Sequence, residues 1–197
     1  MARTIAKDHD DKRAHILRIA AWVFADVGYD RASMNLVARE CGISKANIYH
    51  YYASKDALLF DILDTYLAAL RDHICGLDLQ GLTPEDRLHR MLSETLRAYD
   101  GMDCEHKIQI NALTHLPPDQ QNILRGYQRE LVAVMRDTLA AIAPGLRTDP
   151  QTLRCATMSV FGMLNWFYMW QPRADAAARD AYAALVKQMI LGGVRGL

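Results

Sequence analysis

Lys45, Ala46, Asn47, Tyr49 and His50 crowd into one short stretch, and their side chains suit nucleic acid. Lys and His carry or acquire positive charge for phosphates, and the Tyr hydroxyl donates to a phosphate oxygen. Asn can hold adenine through two hydrogen bonds, and Ala can meet a thymine methyl. For this chemistry all five must stand on the outward sides of one rigid element. Helical spacing supplies it: Ile48, Tyr51 and Tyr52 fall at i, i+3 and i+4 and form an inward face. Ser44 immediately before the run is a helix N-cap, and its hydroxyl adds a polar group at the same end.

That helix needs a brace. Upstream, Ser33 caps a short helix whose Leu36 and Val37 make an apolar side. Gly42 ends it, because glycine enters the left-handed region without steric cost. Ile43 anchors the turn to the core. The result is a helix, a tight turn and a second helix, the arrangement in which the second helix enters the DNA major groove. Any pair of antiparallel helices with a glycine turn shares this spacing. Ser33 through its hydroxyl, and Lys55 near the N-terminus of the next helix, are further phosphate candidates.

Cys41, Gly42, Ile43 and Ser44, followed by Tyr49, Tyr52 and Lys55, resemble the signature of the TetR family of bacterial transcriptional repressors. The family pattern runs Ala-Gly-Val-Ser, then Tyr, Phe and Lys at the same intervals. Cys41 for Ala and Tyr52 for Phe are departures that keep the burial type. Phe24 and Gly28-Tyr29 match the family's Phe and Gly-Tyr positions. The resemblance implies an all-α fold of about nine helices, with an N-terminal helix-turn-helix DNA-binding domain and a larger helical ligand-binding and dimerisation domain. It also implies a homodimer on a palindromic double-stranded operator, repressing transcription until a small-molecule effector releases it.

Composition sets the frame. The chain has 197 residues and 51% hydrophobic content, enough for a sizeable core and against disorder. Basic and acidic side chains balance at 23 each, so a DNA-facing surface must come from placement. No signal peptide or bilayer-length apolar run is seen, and the four cysteines are widely spaced. These features suit reduced thiols in the cytoplasm rather than disulfides or a zinc module. Asp103-Cys104-Glu105-His106 is the one tempting metal cluster, but adjacent helical residues point apart and no second ligand pair exists, so no metal and no resident cofactor are expected. Neither a glycine-rich phosphate loop nor a nucleophile motif is present, which argues against an enzyme. Enzyme activity is thus the weak alternative and a purely structural helical adaptor a third, and sequence-specific DNA retention separates both from a regulator.

Helical periodicity extends through the chain. Residues 1–10 read as a loose arm, followed by a helix to Gly28 with Ile16, Ala20, Val23, Phe24 and Val27 as its stripe; Trp22 lies off that stripe and is free to pack on the arm or the effector half. Ser54 caps a helix running to about Ile74, long enough to link two domains. The division is placed inside this helix, with 1–56 binding DNA and 57–197 binding effector and dimerising. Thr83-Pro84-Glu85-Asp86 opens the next helix with cap, proline and acids in the favoured order. A short helix from Glu105 to about Thr114 follows. Then comes a long one from Gln120 to Ala143, with Ile123, Leu124, Tyr127, Leu131, Val134, Met135 and Leu139 inward. The last two run from Pro150 to Trp170 and from Asp175 to Leu191.

The helix ending at Trp170 is apolar on more than one side and calls for cover, most simply a second subunit in a four-helix interface with the last helix. A monomeric helical core is the alternative. The runs 161–172 and 107–118 resemble a narrower branch of the same family, the regulators responsive to acyl-CoA thioesters, with the phenylacetyl-CoA (PaaR-type) repressors as the nearest likeness. An acyl chain would then lie among Leu92, Leu96, Tyr99, Tyr127, Met135 and Met163, with Asn165 and Trp166 at the same site. Asn165, polar in the most apolar helix, needs a partner, either ligand or backbone across the dimer. Arg90, Arg97, Lys107, Arg125 and Arg129 are the candidates for CoA phosphates. A repressor of an efflux or stress operon, binding hydrophobic drug-like ligands, is the alternative. The effector's identity, the operator and the regulated genes are not encoded in any motif.

Overall fold

The computed structural model describes residues 2–194. Among these, nine α-helices and two short 3-10 turns account for all regular structure. In order they are α1 (Ala2–Val27), α2 (Met34–Glu40), α3 (Lys45–Tyr51), α4 (Lys55–Cys75) and α5 (Pro84–Ala98), then α6 (Asp103–Ala112) with a 3-10 turn at Leu113–His115. α7 (Pro118–Ile142), a 3-10 turn at Pro144–Thr148, α8 (Pro150–Trp170) and α9 (Ala176–Val194) complete the chain. No described helix is long and apolar enough to cross a membrane.

By compactness the chain forms two units. One comprises Met1–Leu67 with Met102–Leu124, the other Ala68–Gly101 with Arg125–Leu197. In the first, the α1 stripe of Ile16, Ala20, Val23 and Phe24 is buried together with Val37, Ile48, Leu58, Leu59 and Leu63. α1 packs on α2 and on α6, and α2 on α3. In the second, α5 is central. Its buried row of Leu88, Met91, Leu92, Thr95 and Leu96 follows one helical face, and α9 lies along it. Thr83 caps α5 by accepting from the Asp86 N–H at 3.2 Å, with Pro84 following. Arg179 of α9 is buried. It donates to the Leu96 carbonyl at 3.1 Å and to Asp100 at 2.8 Å, and so satisfies a carbonyl that the end of α5 leaves open.

Three expectations change. The loose arm is helical from Ala2 onward, with Met1 outside the described residues. No Gly or Pro interrupts 2–27, so nothing stops the helix from extending outward. Ile123 is 46% exposed. The buried row of α7 is Leu124, Leu131, Met135 and Leu139, and Ile123 lies about 100° round the helix from it. Trp22 is 48% exposed.

Candidate nucleic-acid interface

The turn is built as its residues require. Ser33 accepts from the Leu36 N–H at 3.2 Å and starts α2. Gly42 sits at φ +68°, with the Ile43 N–H returning to the Ala38 carbonyl at 3.0 Å to close the helix end. Ser44 accepts from the Asn47 N–H at 3.1 Å and starts α3. Both caps use the serine hydroxyl as acceptor, leaving its own proton free for a phosphate. Cys41 beside the turn is half-buried, and burial, with Glu40 adding to it, pushes its thiol up to about 11. It is a packing residue rather than a reactive thiol.

Along α3 the faces separate sharply. Ile48 is fully buried and Tyr52 nearly so, whereas Ser44, Lys45, Ala46, Asn47, Tyr49 and His50 are all exposed, as is Ser33. The residues whose chemistry suits phosphates and base edges therefore form one solvent-facing group. Tyr51 is half-buried, between the His9 ring stacked on it at 5.0 Å and the His50 ring edge-on at 5.7 Å. The extended α1 thus meets the C-terminal end of α3, a contact that sequence spacing gives no sign of.

Polar ties hold this head in place. The Tyr52 hydroxyl donates to Asp61 at 2.5 Å, and Arg13 pairs with the same carboxylate. Tyr29 donates to Asp56. Burial, then these carboxylate partners, raise both phenols above their ordinary range. Lys55 is part of the same frame. Its ammonium donates to the Tyr29 carbonyl at 2.8 Å and the Ala32 carbonyl at 3.2 Å, and stands 4.2 Å from the Tyr29 ring centre. The expected phosphate candidate thus also clamps the α1–α2 loop to the start of α4. Lys55→Ala should then cost about 1–3 kcal/mol of unfolding free energy, read by urea denaturation. An unchanged midpoint combined with a shallower salt dependence of DNA binding would return the ammonium to the DNA.

The effector candidates divide. Leu92, Leu96 and Met135 fill the core of the second unit. Tyr99 and Asn165 meet there, the hydroxyl donating to the amide oxygen at 2.8 Å, so the partner Asn165 requires includes the tyrosine that ends α5 as its C-cap. Burial raises the Tyr99 phenol strongly and keeps it a donor. Met163 is half-buried, its carbonyl accepting from Tyr182 at 3.1 Å. Tyr127 is half-buried under the Arg71 guanidinium, 4.7 Å from its ring centre. Trp166 does not join Tyr99 and Asn165; one residue further round α8, it is 56% exposed. Among the cations, Arg90 lies 3.4 Å from Glu94, and Arg97 pairs with Glu94 at 3.0 Å and Asp180 at 2.9 Å. Arg125 and Arg129 are exposed, and Lys107 belongs to the first unit. No group of three potential metal-ligating side chains occurs among the described residues.

Comparison with known proteins gives the same picture. Residues 16–62 match the family described as bacterial regulatory proteins, tetR family, and residues 81–194 match the tetracyclin repressor-like, C-terminal domain. A crystal structure of a TetR-family transcriptional regulator from Bordetella parapertussis 12822 superposes with a TM-score of 0.86 at 33% identity, covering 94% of this chain and 96% of that one. AibR, solved with isovaleryl coenzyme A and operator DNA, shares the fold at a TM-score of 0.76 and 21% identity, over 90% of this chain and 97% of that one. The HTH-type transcriptional regulator YuxN of Bacillus subtilis is 32% identical over 83 residues, which is 42% of this chain but only 28% of its own length.

Proposed function

The chain belongs to the TetR family of DNA-binding transcriptional regulators, and on that premise we propose that it is a homodimeric repressor of a palindromic operator, released by a small-molecule effector. The observation that carries the DNA reading is α3, with Ile48 fully inward and Lys45, Ala46, Asn47, Tyr49 and His50 outward. Ser33, Ser44, Lys45, Tyr49 and His50 contact phosphates and set the register, while Asn47 and Ala46 read base edges. Lys55 holds the frame. Residues 1–56 are the reading head, and 57–197 bind effector and dimerise, in the cytoplasm. The relatives are regulators rather than enzymes.

For the effector we propose an acyl-CoA thioester of the phenylacetyl-CoA kind. Two features support it: the Tyr99–Asn165 pair, a polar handle inside an apolar core, and the isovaleryl-CoA complex of AibR, a protein of the same fold. The ligand must bind one helix arrangement better than the other, or nothing switches. A second reading, an uncharged hydrophobic ligand of the kind that efflux regulators bind, gains from the engagement of Arg90 and Arg97 with Glu94 and Asp180. A gel-shift on the DNA upstream of the chain's own gene, challenged with a panel of acyl-CoA thioesters, separates the two. Release by phenylacetyl-CoA or a relative supports the first. Release by none of them removes it and leaves the DNA-binding regulator standing.

A further inference from the structure

His115 ends the 3-10 turn after α6, far in sequence from the helix-turn-helix, yet it packs in the same compact unit. Its ring lies 5.0 Å from the Tyr29 ring, and its Nε2 is 3.1 Å from the Asp30 carboxylate. Its Nδ1 is 3.2 Å from the Ala112 carbonyl. A carbonyl oxygen only accepts, so Nδ1 carries a proton there. In a neutral ring Nε2 would then turn a lone pair toward the carboxylate, which repels it. Only the doubly protonated ring makes both contacts favourable.

What His115 grips is the loop that sets the head. Tyr29 donates to Asp56 and lends its carbonyl and its ring face to Lys55. Ser33, three residues beyond Asp30, caps α2. The charged groups around the ring are Asp26 of α1, Asp30 and Arg31 of the loop, Lys107 of α6, and, behind Tyr29, Lys55 and Asp56 of α4. Arg31 is turned to the Val27 carbonyl at 2.7 Å and Lys55 to the carbonyls it clamps. Asp30 is the charge in direct contact.

We propose that His115 is a positioning residue for DNA binding, and that protonation of its ring tightens the grip of the reading head on the operator. The effect runs in one direction. At lower pH the cation holds Asp30, the α1–α2 loop is fixed and operator affinity is higher; as pH rises the hold is lost and affinity falls. The inference rests on the DNA-binding reading, which retention of the duplex by wild-type protein at about pH 6 tests separately.

The experiment uses a duplex that the full-length protein selects from a random pool, with affinity measured by fluorescence anisotropy at about pH 6 and about pH 8. The quantity read is the ratio of the two dissociation constants. Any pH dependence from the rest of the protein is common to wild type and variants and cancels in the comparison. His115→Gln, which keeps a hydrogen-bonding group but never a charge, should reduce the wild-type ratio about two- to fivefold, the range of an exposed ion pair. Asp30→Asn, which keeps the ring and removes its counter-ion, should do the same and serves if His115→Gln fails to fold. A ratio unchanged in both variants, whatever their thermal stability, overturns the proposal.

Discussion

Met189→Glu should convert the protein into a monomer and weaken operator binding by at least about a hundredfold. Met158, Trp166, Met169 and Trp170 of α8 and Leu185 and Met189 of α9 are each about half exposed, at 49–57%. On α8, Met158, Gly162, Trp166 and Met169 recur at helical spacing on one side. The opposite side, with Leu153, Thr157, Val160, Leu164 and Phe167, is buried. α9 repeats the division, with Val186 and Ile190 inward and Leu185 and Met189 outward. Isolated exposed apolar residues mean little, but large ones gathered on two packed helices are the surface that the proposed dimer would cover. Covering each side chain is worth about 1.5–3 kcal/mol, and burying one unpaired carboxylate in its place costs more than that. Once the pair separates, the second reading head no longer binds at the high effective concentration that linkage gives. Sedimentation equilibrium and anisotropy on one operator read both effects. Trp22→Glu, at 48% exposure on α1, is the control and should leave both unchanged. A dimer persisting in Met189→Glu at wild-type affinity would remove this face as the interface.

The second large effect is at Asn47. Its backbone N–H, not its side chain, is what the Ser44 cap uses, at 3.1 Å. Asn47→Ala therefore leaves the start of α3 intact, and alanine is the better helix former. Stability should hold while discrimination at one base pair drops by about 1–3 kcal/mol, or roughly five- to 150-fold. Affinities for operators mutated singly through one half-site locate that pair. Lys45→Ala makes the contrast: affinity falls alike for every sequence, with a shallower salt dependence. If Asn47→Ala behaves as Lys45→Ala does, base reading lies with another residue.

The head was legible because its signals are local. Ile48 and Tyr52 announce the inward side of α3 by spacing, and Gly42 and Ser44 announce the turn by conformational demand, so the exposed set followed. The start of α5 was readable for the same reason, in Thr83, Pro84, Glu85 and Asp86. The polar ties were not. Lys55 at a helix N-terminus suggests an anion, and only tertiary placement brings the Tyr29 and Ala32 carbonyls to it. Asn165 announced a need without naming Tyr99, which is distant in sequence. Buried Arg179 and its hold on Leu96 and Asp100 left no trace in any periodicity. Periodicity reports which side of a helix is dry; it does not report which polar atom waits there.

The division of labour within α3 has an evolutionary corollary. Its anchoring falls to Ile48, Tyr52, the serine caps and the Lys55 clamp, none of which needs to touch a base. Positions 45, 46, 47 and 49 are thereby largely released from duty to the scaffold, and position 50 is tied to it only through the edge of its ring against Tyr51. If those positions read the operator as proposed, a lineage could redirect such a protein to a new set of promoters by altering them, and a designer could draw a retargeting library from the same handful.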